Sequence, residues 1–245
     1  MAGHSKWANI KRRKGAQDAK RGKVFTKVVK EIKVAVKTGG GGDPDANPRL
    51  RAAIQAAKGV NMPKDKIEAT IKKATGGDGE DYQEVNYEGY ANGGVAVFVE
   101  TATDNLNRTV ASMRHIFSKY GGNLGTQGCL QFVFDHKGVF SVPSNGLDED
   151  DFSLEMIEAG AEDIEFDAEM VSITTAMEDF GGVQKALAEL GVEPESAGLE
   201  RIPTTTTKVD AKTFESVMKL IDKLEDDDDV QKVYHNIEFD EALFN

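Results

Sequence analysis

The apolar residues of this chain keep a single period through Ala74 and mix two periods beyond it, and that change divides what the chain can fold into. Between Val24 and Ala74 they recur at spacings of three and four, the period of a helix face. Phe25, Val28, Val29, Ile32 and Val36 form one stripe, Leu50, Ala53, Ile54 and Ala57 a second, and Ile67, Ile71 and Ala74 a third. Thr38 and the four glycines Gly39–Gly42 end the first helix. Asn47 is placed to cap the second, with Pro48 at its first position. Residues 59–63, Gly-Val-Asn-Met-Pro, break the second helix, and Pro63 opens the third. Residues 76–83, GGDGEDYQ, carry neither period and read as a linker.

Beyond that linker, alternating β-branched runs appear between further helical stripes. Glu84–Ala91 and Val95–Thr101 read as strands of a hairpin turning at Asn92-Gly93-Gly94. Asp104 is the expected cap of a helix carrying Leu106, Val110, Met113, Ile116, Phe117 and Tyr120, which Gly121-Gly122-Asn123 stops. Leu130–Phe134 reads as a strand, with Cys129 beside it as a small core residue.

Six elements follow: strand Val139–Val142, helix Glu149–Ala159, strand Asp163–Phe166, strand Met170–Thr175, helix Phe180–Leu190 and strand Leu199–Thr206. Their β-α-β-β-α-β order is the ferredoxin-like pattern. Helix Ala211–Leu224 and strand Val230–Asn236 close the chain and complete the elements read before residue 136. The expected fold is therefore an α+β multidomain one. An N-terminal three-helix domain precedes two ferredoxin-like α/β domains, the last inserted into the middle one. The expected boundaries are a basic arm over 1–22, the helical domain over 23–80, an α/β domain over 81–135 plus 208–245, and the inserted domain over 136–207.

Charge follows the same division. The net charge of −12 hides a strong asymmetry. Residues 1–37 hold 12 Lys and Arg against two acids, Asp18 and Glu31. Through Ala74 the balance is +13, and the remainder of the chain carries −25. Lys and Arg neutralise phosphates and release counterions, which gives tight, salt-dependent and largely sequence-blind binding. Lys11-Arg12-Arg13-Lys14 is dense, and Trp7 lies four residues before it, where an indole can stack on a base. The expected nucleic-acid-binding residues are Lys6, Trp7, Lys11, Arg12, Arg13, Lys14, Lys20, Arg21, Lys23 and Lys27. Residues 1–22 bury little apolar surface and read as an arm that is mobile without a partner.

Other chemistries find less support. Gly39–Gly42 lacks a following Lys-Ser/Thr and does not follow a strand, so it is no P-loop. Gly121–Gly128 lies between a helix and a strand, the wrong order for a dinucleotide fingerprint. His4, His115, His136 and His235 are scattered without metal-ligand spacing, and one cysteine makes no disulfide. The acidic run Glu225–Asp229 lacks the spacing of a calcium loop and reads as an acidic turn, one able to repel wrong targets of the basic segment. The expectation is a protein that is not an enzyme, with no cofactor, no metal and no catalytic residues. No apolar run approaches a membrane span and none follows the N-terminus as in a secretory signal, so the chain reads as cytoplasmic and bacterial.

Several motifs resemble one family. Ala2-Gly3-His4-Ser5-Lys6-Trp7-Ala8-Asn9-Ile10-Lys11 is similar to the opening of the YebC/PmpR family of predicted transcriptional regulators. Gln17–Lys23, Asn61-Met62-Pro63, Tyr87-Glu88-Gly89-Tyr90, Thr103–Thr109 and Phe117–Gly125 resemble further family signatures, so the likeness spans essentially the whole chain. Many relatives carry His where Arg12 stands, so the departure here adds charge. The resemblance implies a helical N-terminal domain and two α/β domains. It implies DNA-binding transcriptional regulation in some bacterial members, whereas mitochondrial relatives activate translation and some bacterial ones act on stalled ribosomes. The expected function is DNA-binding transcriptional regulation, with an RNA- or ribosome-binding translation factor as the alternative. The residues themselves show no clear helix-turn-helix recognition helix. The expected partner is DNA, or ribosomal RNA and the ribosome, with no membrane. The acidic domains are expected to bind a protein partner or position the arm, and the chain is expected to be a monomer.

Overall fold

The computed structural model describes residues 21–76 and 82–238. Three helices come first: α1 (Arg21–Thr38), α2 (Pro48–Gly59) and α3 (Lys64–Thr75). Their apolar stripes meet in one core of Ile32, Ala35, Val36, Leu50, Ala53, Ala57, Met62, Ile67 and Ala74. Asn47 caps α2, its Oδ1 accepting from the Leu50 amide at 3.0 Å, while its Nδ2 donates to the carbonyls of Ala35 and Gly41. One fully buried side chain thus starts α2 and binds the end of α1. Gly39 is required there, because a Cβ would stand 2.3 Å from Asn47 Oδ1.

The next elements are β1 (Gln83–Tyr90), a 3-10 turn at Asn92–Gly94, β2 (Ala96–Thr103), α4 (Leu106–Lys119) and the short β3 (Asn123–Leu124). A further set follows: β4 (Phe134–Pro143), α5 (Glu149–Glu158), β5 (Ala161–Phe166), β6 (Met170–Ala176), α6 (Phe180–Glu189) and β7 (Ser196–Pro203). The chain closes with α7 (Ala211–Glu225) and β8 (Val230–His235). The fold is α+β, with two four-stranded antiparallel sheets in the orders β3-β1-β2-β8 and β5-β6-β4-β7. All strands of the second sheet lie in sequence between β3 and α7, which pack with the first.

Strand β2 shows how the first sheet is buried on both faces. Its odd-numbered residues Val97 and Val99 join Met113 and Phe117 of α4 and Val217, Leu220, Ile221 and Leu224 of α7. Its even-numbered residues Ala96 and Phe98 face the other way and pack with Leu130, Phe134 and Tyr234. The period-two alternation of a strand thus feeds two cores at once. Under the second sheet, Phe140 stacks on Phe180 at 4.5 Å within a core that includes Phe152, Met156, Ile173 and Leu187.

Three expectations are corrected. Leu130–Phe134 is not a strand: residues 127–133 form successive turns, and β4 begins at Phe134. Glu88 takes the Gly128 and Leu130 amides, which a strand would give to a neighbour, and Gly128 sits at φ 87°. Asp104 does not cap α4. Asn105 does, accepting from the Arg108 amide at 3.1 Å, while Asp104 pairs with the Arg108 guanidinium at 2.7 Å. The strand expected at Leu199–Thr206 is β7, Ser196–Pro203, because its partner β4 pairs it from Ser141 to Phe134.

Candidate nucleic-acid interface

Lys23, Lys27 and Lys30 lie at i, i+4 and i+7 of α1, so helical geometry sets them on one face. That face meets the C-terminal end of α7 and the acidic run after it. Lys23 Nζ donates to the Asp226 carbonyl at 2.7 Å, Lys27 Nζ to the Glu225 carbonyl at 2.8 Å and Lys30 Nζ to the Asp228 carbonyl at 2.7 Å. A helix C-terminus offers such carbonyls unsatisfied, and its dipole end favours cations. Burial pushes the Lys27 ammonium down to about 8, against the opposing pull of Glu225, Asp227 and Asp228.

Asp229 is the centre of this junction and is 4% exposed. Its carboxylate accepts from Lys30 Nζ at 2.9 Å and from Arg108 Nη2 at 2.8 Å. The hydroxyls of Thr109 and Thr103 stand 2.9 and 3.2 Å from the same group. Burial alone raises a carboxyl pKa, but hydrogen bonds from Lys30, Arg108 and Thr109 outweigh it and bring Asp229 down to about 2. Asp227 accepts from Ser112 Oγ and from the Asp229 amide. The acidic run is a turn, and its oxygens hold the basic helix. Among the described residues, no group of three or more His, Cys, Asp or Glu could hold a metal ion.

The expected site residues separate into groups. Lys6, Trp7, Lys11, Arg12, Arg13, Lys14 and Lys20 lie outside the described residues. Arg21 is the first residue of α1. Lys23 and Lys27 face the acidic run as described. Farther along the helical unit, Arg51, Lys58, Lys64, Lys66, Lys72 and Lys73 are exposed. These six were absent from the expected set, although their places opposite the apolar stripes of α2 and α3 were readable. Arg49 is committed to structure, bonding Glu31 at 2.9 Å and Glu84 at 2.5 Å. Its pKa is raised by Glu84 and Glu31 in spite of the burial that opposes them.

Carboxylates and cations alternate where the sheets and the helical unit meet. Arg201 of β7 bonds Glu100 of β2 at 3.1 Å, and Lys232 of β8 bonds Glu200 of β7 at 3.0 Å. Gln55 of α2 donates to the Pro194 carbonyl at 2.6 Å. His136 stands beside these pairs, its pKa pushed down by burial and by Arg201. Cys129 is partly buried, and burial together with Glu88 raises its thiol pKa, which leaves less thiolate.

Sequence models of the "TACO1/YebC protein N-terminal domain" and the "TACO1/YebC second and third domain" match residues 5–77 and 82–237. The chain belongs to the TACO1/YebC family. It is 53% identical to a probable transcriptional regulatory protein of Sulfurihydrogenibium sp. (strain YO3AOP1), over 99% of this chain and 98% of that one. It is 55% identical to a probable transcriptional regulatory protein of Amoebophilus asiaticus (strain 5a2), over 97% and 98%. The crystal structure of a conserved hypothetical protein from Aquifex aeolicus is similar at a TM-score of 0.81 and 46% identity, covering 91% of this chain and 93% of that one. The motifs that resembled YebC/PmpR sequences therefore mark membership. Among the described residues, no helix is long and apolar enough to cross a membrane.

Proposed function

We propose that this protein is a cytoplasmic, non-enzymatic gene-expression factor, a transcriptional regulator that binds DNA through its basic N-terminal third. The observation that carries the reading is the separation of charge, +13 through Ala74 against −25 beyond it. Phosphate contacts supply affinity, and the excess of carboxylates beyond Ala74 disfavours nucleic acid on most of the remaining chain. The binding residues are Lys6, Trp7, Lys11, Arg12, Arg13, Lys14, Lys20 and Arg21, joined by Lys23 and Lys27 when the phosphate backbone competes with the acidic run. The exposed Lys64, Lys66, Lys72 and Lys73 of α3, which follows α2 after a four-residue connection, extend the same positive surface. The architecture that serves this function is a basic arm, a helical domain and two ferredoxin-like domains, the last inserted into the middle one. The likeness to probable transcriptional regulatory proteins supports the regulatory role.

A second reading, an RNA- or ribosome-binding translation factor, is favoured by one observation: an exposed aromatic, Phe132, on an uncharged loop. One variant tests the part common to both readings. Replacing Lys11, Arg12, Arg13 and Lys14 with Ala is expected to weaken binding to any nucleic acid and to flatten the dependence of log affinity on log salt by about 0.7–0.9 per lost phosphate contact. Unchanged affinity and slope would move the site away from the arm. Crosslinking in cells, followed by sequencing of bound DNA and bound RNA, separates the two: enriched promoter fragments support DNA, and enriched ribosomal RNA supports translation.

A further inference from the structure

Residues 120–134 carry no charged side chain, in a part of the chain that is otherwise strongly acidic. The second half of this stretch forms a loop stapled to the first sheet. Glu88, only 6% exposed on β1, accepts from the Gly128 amide at 2.8 Å and the Leu130 amide at 2.6 Å. The Phe132 carbonyl accepts from Thr204 Oγ1 at 2.9 Å, and the Val133 carbonyl from the Thr204 amide at 2.9 Å. Leu130 and Phe134 are sunk in the core beneath Phe98 and Tyr234. Between these anchors the Phe132 ring is 84% exposed. Tyr90, 42% exposed, adjoins the loop through its hydroxyl, which lies 3.5 Å from the Cys129 carbonyl.

An isolated exposed apolar side chain is ordinary on a protein surface. This one differs in lying on a loop whose backbone is fixed on both sides of it, by Glu88 at Gly128 and Leu130, by Thr204 at Phe132 and Val133, and by the buried Leu130 and Phe134. Thr126, Gln127 and Gln131 of the same stretch are exposed and neutral. The loop itself presents no carboxylate to a partner rich in negative charge, and amide side chains can bond base edges. We propose that Phe132, supported by Tyr90, is a stacking platform for an unpaired base of single-stranded nucleic acid. Every base presents a π-face, so the platform adds affinity without demanding a sequence. Phe98, which lies over the loop's anchors, is four residues along β2 from Ala102, whose carbonyl Lys30 approaches. At ~3.4 Å per residue that segment of β2 is about 14 Å long, and it runs from the loop's anchors to the junction of the basic helix. The inference rests on the nucleic-acid reading above and adds the unpaired base to it.

The test compares wild type, Phe132→Ala, Phe132→Trp and the arm variant against single-stranded DNA, single-stranded RNA of the same sequence, and duplex DNA. Phe132→Ala is expected to weaken single-strand binding by about tenfold or more, leave the salt slope unchanged and spare duplex binding, while Phe132→Trp retains affinity. A loss for RNA alone or DNA alone identifies the source of the base. An unaltered melting temperature confirms that the exposed substitution leaves the fold intact. If Phe132→Ala binds single strands as wild type does while the arm variant is weakened, the platform is wrong and the nucleic-acid reading stands. If wild type binds none of the three, both fail.

Discussion

Asp229 concentrates more of this molecule's chemistry than any other described side chain. It receives an ammonium, a guanidinium and two hydroxyls, and it joins α1, the start of α4 and the turn before β8. Removing one partner of a buried pair leaves the other charge uncompensated, at a cost of about 3–5 kcal/mol. Asp229→Asn is therefore expected to destabilise the protein by that order in denaturant unfolding, since Lys30 is itself buried. The pH dependence has a definite sign. The folded carboxyl sits at about 2, below its usual 3.8, so its stabilisation is complete above the higher value and is lost as pH falls through the lower one. In an acid titration, wild type should lose this share of stability across that window and Asp229→Asn should not. Parallel acid profiles would show that the carboxylate carries no such share.

Elements with strong periodicity were legible in the sequence, and the elements that were not have a nameable cause. The stripe Phe25–Val36 fixed α1, and Asn47-Pro48 fixed the start of α2, because each is a local code. The loop after β3 misled because Leu130, Phe132 and Phe134 alternate as in a strand, while the deciding group, Glu88, lies some 40 residues earlier. The docking of Lys23 and Lys27 onto the acidic run joins residues about 200 positions apart, and no local pattern carries it. Charge composition marked both partners, yet it could not say that they meet each other. The loop gives a prediction at this scale. Glu88→Gln keeps one acceptor and turns an NH2 toward the amides, so one of Gly128 or Leu130 loses its partner. A cost of about 1–3 kcal/mol is expected, with faster hydrogen exchange confined to residues 126–133. Exchange unchanged there would assign the loop's order to the Leu130 and Phe134 anchors.

At the scale of the whole molecule, polar contacts tie the helical unit to the two sheets, and the sheets meet both through ion pairs and through the apolar cluster of Phe98, Phe134 and Tyr234. Arg49–Glu84 and Gln55–Pro194 tie the helices to the two sheets, and Arg201–Glu100 and Lys232–Glu200 tie the sheets together. The Arg49 and Lys232 pairs are partly exposed, and such pairs contribute little that salt does not screen. Lys30–Asp229, at 9% and 6% side-chain exposure, is shielded from that screening. The arrangement is therefore expected to respond to salt only when the buried pair is broken. At about 1 M salt, where the Debye length is ~3 Å, wild type should keep its radius of gyration in solution scattering, whereas Asp229→Asn should expand as the helical unit separates. An Asp229→Asn protein as compact at high salt as at low would place the cohesion in apolar contact instead. The expected outcome carries a functional consequence: α1 would be held to the acidic run by a pair that solution ions cannot reach, while Lys23, 45% exposed at the rim, stays open to exchange its carbonyl for a phosphate.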